Sequence, residues 1–303
     1  MMTELPSRDR FIPYRGFKIW VREIGIDGDP KLLPLLCLHG GPGIPHDYLE
    51  ALEAVAASGR RVIFYDQLGC GNSDKPHDRS LWTVDLFVKE VDAVRSSLGL
   101  HRIHLLGQSW GGMLAMQYAI GRPAGLESLI IASSPASIQD WIDAANLLRR
   151  ELPADVQKTL TEHEQLGTTG SAEYQSAMMV FYRRHFCRLD PWPACVTRAF
   201  EKLIANPEVY YAMWGPSEFY VTGVLKSWDV TPLLGRIRAP TLITSGRYDE
   251  ATASVMKPAH QGIAGSKHIV FEQSSHMSHV EEAERYIPEV IKFLDGVESK
   301  RRS

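Results

Sequence analysis

The chain has 303 residues, 44% of them hydrophobic, and a formal net charge of -3. That length supports a large buried core, as one domain carrying an insertion or as two domains. The near-neutral charge, with no long run of one sign, argues against a nucleic-acid-binding face; no run of about 18 apolar residues supplies a membrane span; and the opening residues "MMTELPSRDR" lack the apolar core of a signal peptide.

In chain order, "FKIWVREIG" (residues 17–25) reads as an antiparallel strand at a sheet edge. "KLLPLLCLH" (residues 31–39) and "RVIFYD" (residues 61–66) read as buried strands. In "TVDLFVKEVDAVRSSLGL" the apolar residues Val84, Phe87, Val88, Val91 and Val94 have helical spacing. "RIHLLG" predicts a strand, "WGGMLAMQYAI" a helix and "LESLIIAS" another strand. Strands alternating with helices predict an α/β fold, a mostly parallel sheet with helices on both faces.

The rhythm changes at about Ser137. From there to about Asp229 the pattern is helical, broken by "LDPWPA" and "ANPEV" and rich in aromatic residues, among them Trp141, Trp192 and Trp214. The expected organisation is a core of residues 1–136 and 230–303 with a helical cap inserted at residues 137–229. Most of the aromatics are expected to form the cap's own interior. Strands then return at about residues 241–245 and in "KHIVFEQ" (residues 267–273). "VEEAERYIPEVIKFLDGV" closes the chain as an amphipathic helix in which Pro288 marks a place for a kink.

Gly107-Gln108-Ser109-Trp110-Gly111 fits Gly-x-Ser-x-Gly. The motif alone is short enough to arise by accident. Its weight comes from the apolar strand before it and the helix after it, which force a sharp turn and leave the Ser109 hydroxyl projecting from the sheet. A serine hydroxyl needs a base to become a nucleophile. On such a scaffold an acid follows a late strand and a histidine follows the last one. Asp249 and His276 fill those places, so the expected catalytic set is Ser109, Asp249 and His276. His279 competes with His276, but its place at a helix start favours a capping or surface role. The His276/His279 pair has no third ligand at metal-binding spacing, so no metal is expected.

"HGGPG" (residues 39–43) follows a strand and offers a backbone N–H, most plausibly that of Gly41, for an oxyanion hole. The N–H of Trp110 is the second expected donor. "DQLGCGNS" (residues 66–73) contains Gly-x-Gly but has Asp74 where a third glycine would stand. It reads as a structural turn rather than a dinucleotide site.

The ordered set "HGGPG", "FYDQLGCGNSD", "GQSWGG", "GPSEF", "SWDVT", "PTLITSGRYDE" and "SSHM" resembles the proline iminopeptidase family of alpha/beta-hydrolases over nearly the whole chain. Within it the chain also resembles the tricorn-associated aminopeptidase and bacterial L-amino acid amidases. The resemblance implies a cofactor-free serine hydrolase that removes an N-terminal residue, often proline, from a small peptide or amino acid amide. It also implies that Glu218 and Glu250 bind the substrate's free amine. Trp110 is bulkier than the residue expected at its place, and its ring would narrow the pocket. A carboxylesterase is the nearest rival, and a small-molecule receptor on the same fold is the rival of another class. Dehalogenase or epoxide hydrolase chemistry would need an aspartate where Ser109 stands. The four cysteines, Cys37, Cys70, Cys187 and Cys195, form no Cys-x-x-Cys pair and read as reduced thiols of a cytoplasmic protein, with their pairing left open. Oligomeric state is not encoded in any visible pattern.

Overall fold

A computed structural model describes residues 5–302; residues 1–4 of the opening stretch, and residue 303, lie outside the described residues. Eight strands form one sheet: β1 (Ser7–Tyr14), β2 (Phe17–Ile24), β3 (Leu35–Leu38), β4 (Val62–Tyr65), β5 (Ile103–Gln108), β6 (Leu126–Ala132), β7 (Thr241–Gly246) and β8 (Lys267–Phe271). Their spatial order is β1-β2-β4-β3-β5-β6-β7-β8. From β4 onward every neighbour is parallel. Residues of β3, β4 and β5 are buried throughout, as continuous apolar runs in a parallel sheet require.

The edge differs from the sequence reading. β2 is antiparallel as expected, but β1 pairs along its outer side and is the true edge. Arg15 and Gly16, both at positive φ (52° and 87°), turn the chain in two residues between the strands. The charges of β1 hid it as a strand. Arg8 and Arg10 converge on the fully buried Glu23 of β2, which also meets Arg61.

Helices cover the sheet. Helix α1 (Val84–Ser97) starts at Thr83, whose hydroxyl accepts the Leu86 N–H at 3.2 Å. Helix α2 (Trp110–Ile120) follows β5 directly. Between β6 and β7 come five helices and no strand: α3 (Ile138–Arg149), α4 (Ala154–Leu166), α5 (Ala172–His185), α6 (Ala194–Ala205) and α7 (Glu208–Met213). The two ends of this insertion are clasped, with Ile138 N–H on the Trp228 carbonyl at 3.0 Å and Val230 N–H on the Ala136 carbonyl at 2.9 Å. Helix α8 (Ala253–Gly262) links β7 to β8, a short α9 (Ser278–Glu281) follows, and α10 (Ala283–Arg302) continues through Pro288 to the end of the described chain. A long 3-10 stretch, His46–Ser58, follows β3, with Leu49, Leu52 and Val55 buried at a spacing of three.

One buried acid sits behind the sheet. Glu90 of α1 is fully buried and accepts the Leu68 N–H at 2.8 Å, leaving its other oxygen without a partner among the described residues. Burial pushes its carboxyl up to about 8 from 4.5, opposed by the Leu68 bond. The folded state therefore holds a proton that the unfolded chain releases, and stability falls as pH rises from about 4.5 to about 8. In Glu90→Gln that decline should flatten. The variant should exceed the wild type by about 1–3 kcal/mol at about pH 8.5 and match it more closely near about pH 6, read from thermal unfolding at both pH values.

Candidate active site

Ser109 occupies the turn between β5 and α2 at φ 57°, ψ -125°, a conformation a residue with a side chain resists. Its backbone N–H is held by the Ala132 carbonyl at 2.9 Å. The glycines around it are steric requirements. A Cβ on Gly107 would lie 2.0 Å from the Gly111 carbonyl oxygen, and one on Gly111 would lie 2.1 Å from that of Leu38. Ser109 thus stands at the N-terminus of α2, where unpaired N–H groups favour negative charge.

The loops after β7 and β8 bring Asp249 and His276 together. Both are buried, and His276 Nδ1 donates to Asp249 Oδ1 at 2.8 Å. The same oxygen accepts the Ala251 N–H at 2.8 Å, and Oδ2 accepts that of Gly246 at 3.3 Å. These bonds fix the carboxylate and, through it, the imidazole tautomer that leaves Nε2 as the basic nitrogen. The insertion fixes the loops in turn. The His185 carbonyl at the end of α5 accepts N–H groups of both Glu250 (3.3 Å) and His276 (3.2 Å), and the His185 ring donates Nδ1–H to the Tyr248 carbonyl at 2.9 Å. Phe186 and Trp141 flank the His276 ring at centroid distances of 5.6 and 5.8 Å.

The "HGGPG" loop lies against the serine, since a Cβ on Gly40 would come within 2.9 Å of the Ser109 Cβ. The N–H groups of Gly41 and Trp110 have no partner among the described residues. They are the two donors the sequence nominates for an oxyanion. The Trp110 ring does something other than expected. It is buried, donates Nε1–H to Gln67 Oε1 at 2.8 Å and meets Phe87 edge-on at 5.8 Å, so its bulk serves the packing of α2 against α1. Gln67 also donates to the His39 carbonyl, and its own N–H is accepted by His39 Nε2, which ties the loops after β3 and β4.

Tyr48 was not singled out in the sequence, yet it joins three loops of the site. Its phenol oxygen accepts the Gly40 N–H at 2.6 Å and its hydroxyl donates to Gln108 Oε1 at 2.7 Å; Gln108 Nε2 donates onward to the His276 carbonyl at 3.1 Å. His279, expected as a capping or surface residue, is buried beneath this chain and donates Nε2–H to the Tyr48 carbonyl at 3.0 Å. Removal from water pushes its imidazole down to about 4, so it remains neutral. The "DQLGCGNS" turn is filled from within. Asp66 accepts from His46 and Asn72, and a Cβ on Gly71 would strike its carboxylate at 2.1 Å. Burial raises the Asp66 carboxyl, but the His46 charge and hydrogen bonds outweigh it and hold it at about 2.

Glu218 and Glu250 reach the same end of the site. Glu218 follows α7, is partly buried and accepts the Tyr210 hydroxyl at 2.6 Å. Glu250 is buried, with Oε1 3.7 Å from His276 Nε2 and Oε2 without a partner among the described residues. Burial raises both carboxyls, and the charges of Glu218 and Asp249 push Glu250 well above the usual range. Among the described residues no group of three or more His, Cys, Asp or Glu side chains could hold a metal ion.

The Tyr48 chain makes a prediction. In Tyr48→Phe the Gly40 N–H loses its acceptor and Gln108 its donor while the ring remains. Turnover should fall about tenfold with KM changed less than about threefold, because loop geometry matters most when charge develops on the oxyanion. Steady-state kinetics on an amino acid arylamide reads both constants.

Residues 34–283 match the family model described as alpha/beta hydrolase fold. A proline iminopeptidase of Saccharolobus solfataricus is 40% identical over 302 residues, covering 95% of this chain and 97% of its own. A proline iminopeptidase of Heyndrickxia coagulans is 41% identical over 287 residues, covering 95% and 98%. Among solved structures, VinJ superposes with a TM-score of 0.93 at 41% identity, over 96% of this chain and 99% of its own. The proline iminopeptidase of Mycobacterium smegmatis superposes with a TM-score of 0.90 at 40% identity, over 97% and 100%. By sequence and by structure the chain belongs to the proline iminopeptidase family of alpha/beta-hydrolases.

Proposed function

We propose that this protein is a serine-dependent aminopeptidase that releases an N-terminal residue, proline or a small one, from short peptides. Ser109 attacks the carbonyl of the first residue. His276 takes the hydroxyl proton at Nε2 and passes it to the leaving amine, while Asp249 orients the ring and stabilises its charged form. The Gly41 and Trp110 N–H groups hold the oxyanion. Water then attacks the acyl-enzyme by the reverse proton path and frees the amino acid. We read residues 137–229 as the cap that closes this chamber over a core of residues 1–136 and 230–303. The four unpaired thiols support a reducing, cytoplasmic setting.

The observation that carries this reading is the pair of carboxylates beside His276. A chamber for neutral acyl groups has no use for two acids withdrawn from water, and burying them is costly without a counter-charge. A substrate ammonium group supplies that charge, and its N–H donors suit the vacant Glu250 oxygen. Amino acid amides present the same acyl side and fall within the same reading.

L-proline p-nitroanilide should be cleaved, its N-acetylated form should be cleaved at least about a hundredfold less well, and Ser109→Ala should abolish both. In Glu218→Gln and Glu250→Gln, kcat/KM for the free-amine substrate should fall about tenfold or more each. Unchanged kcat/KM in both variants, or equal turnover of blocked and free substrates, would overturn amine recognition.

A further inference from the structure

We propose that Glu250 gates the catalytic base: in the absence of a substrate ammonium group it engages His276 Nε2, and the ammonium draws it away so that Ser109 can be deprotonated. The proposal rests on the amine-recognition reading above and adds a second task to one of its residues.

The geometry is the argument. His276 lies between two carboxylates, with Nδ1–H given to Asp249 at 2.8 Å and Nε2 within ion-pair reach of Glu250 Oε1 at 3.7 Å. Ser109 Oγ makes no hydrogen bond among the described residues. The nitrogen that must take the serine proton therefore faces an acid. Glu250 is 1% exposed, so water screens this encounter poorly. Glu218, Asp249 and the Tyr182 and Tyr210 phenols surround the same space, and none of them carries positive charge.

The consequence follows from proton accounting. Burial and the charges of Glu218 and Asp249 favour the protonated form of the Glu250 carboxyl. Closing the 3.7 Å between them lets Glu250 donate that proton to His276 Nε2 in a hydrogen bond, which occupies the lone pair that Ser109 needs. An ammonium group bound to Glu250 brings its own positive charge, the carboxyl proton leaves to solvent, and Nε2 becomes free. Selectivity for a free amine then acts on turnover as well as on binding. A neutral ester can enter the chamber and still find the base engaged.

Hydrolysis of p-nitrophenyl acetate, which has no amine, separates gating from simple recognition. In Glu250→Ala its kcat/KM should rise about tenfold, because Nε2 is no longer engaged, while kcat/KM for L-proline p-nitroanilide falls. A structural defect would lower both. On the wild type, added pyrrolidinium chloride should accelerate acetate-ester hydrolysis saturably and should have no such effect on Glu250→Ala. This wild-type arm decides the matter if the variant does not fold. If Glu250→Ala loses the arylamide activity while ester turnover stays level or falls, and pyrrolidinium fails to activate, the gate is overturned and amine recognition stands. If the arylamide activity survives in Glu250→Ala, the gate is overturned, and amine recognition falls with it if Glu218→Gln is unchanged as well.

Discussion

Ser109 is held at φ 57° and ψ -125°, and the rest of the site is arranged around keeping it there. Such a backbone costs on the order of 1–3 kcal/mol and persists only where the surroundings over-determine it. Here they do so from every side. Gly107 and Gly111 leave room that any Cβ would close, Ala132 holds the serine N–H, and Gly40 passes within contact of its side chain. On the proposed reading the strain also has a chemical use. It turns the hydroxyl out of the sheet, ahead of the α2 N-terminus, and leaves the Trp110 N–H unpaired in the space where an oxyanion would form.

A strained turn can hold a hydroxyl, but it cannot by itself set the distance to groups about 140 and 170 residues away in the chain. That coupling runs through backbone groups and neutral side chains. Gly40, Tyr48, Gln108 and the His276 carbonyl form one chain of hydrogen bonds, with His279 supporting Tyr48 from below. The insertion adds a second brace. The His185 carbonyl takes N–H groups from the acid loop and the histidine loop at once, while Phe186 and Trp141 shield the imidazole. The inserted helices are thus bonded into the loops that carry Asp249 and His276 rather than resting over them. Salt bridges from Arg198 and Lys202 of α6 to Asp47 tie them to the 3-10 stretch as well.

What the sequence disclosed and what it concealed divide along physical lines. Buried parallel strands are continuous apolar runs and could be read directly, as could the serine turn and the order Ser109, Asp249, His276. The edge strand β1 could not, because its outward charges are satisfied by Glu23 on the neighbouring strand and imitate a loop. Tyr48 lies in a 3-10 stretch, and its hydroxyl bonds to Gly40 and Gln108, from two separate loops, which no local pattern announces. His279 and Trp110 were misjudged for one reason. A polar atom on a bulky ring suggests exposure or a pocket wall, and only the fold reveals a partner, the Tyr48 carbonyl or Gln67, that allows full burial.

Two kinds of buried acid coexist in this molecule, and the contrast clarifies the site. Asp66 is surrounded by donors, and those bonds outweigh its burial to keep the carboxyl near 2; it welds two loops and has no oxygen left to offer. Glu250 has a carboxyl oxygen with no donor among the described residues and acids for neighbours. Glu90 also keeps an unpaired oxygen, but it lies behind the sheet on α1, whereas the Glu250 carboxyl lies beside His276. The deficit sits within ion-pair reach of the catalytic imidazole, where a substrate cation would remove it. On the proposed reading, the electrostatic cost carried by the empty site becomes binding energy for a free amine, released next to the bond to be broken.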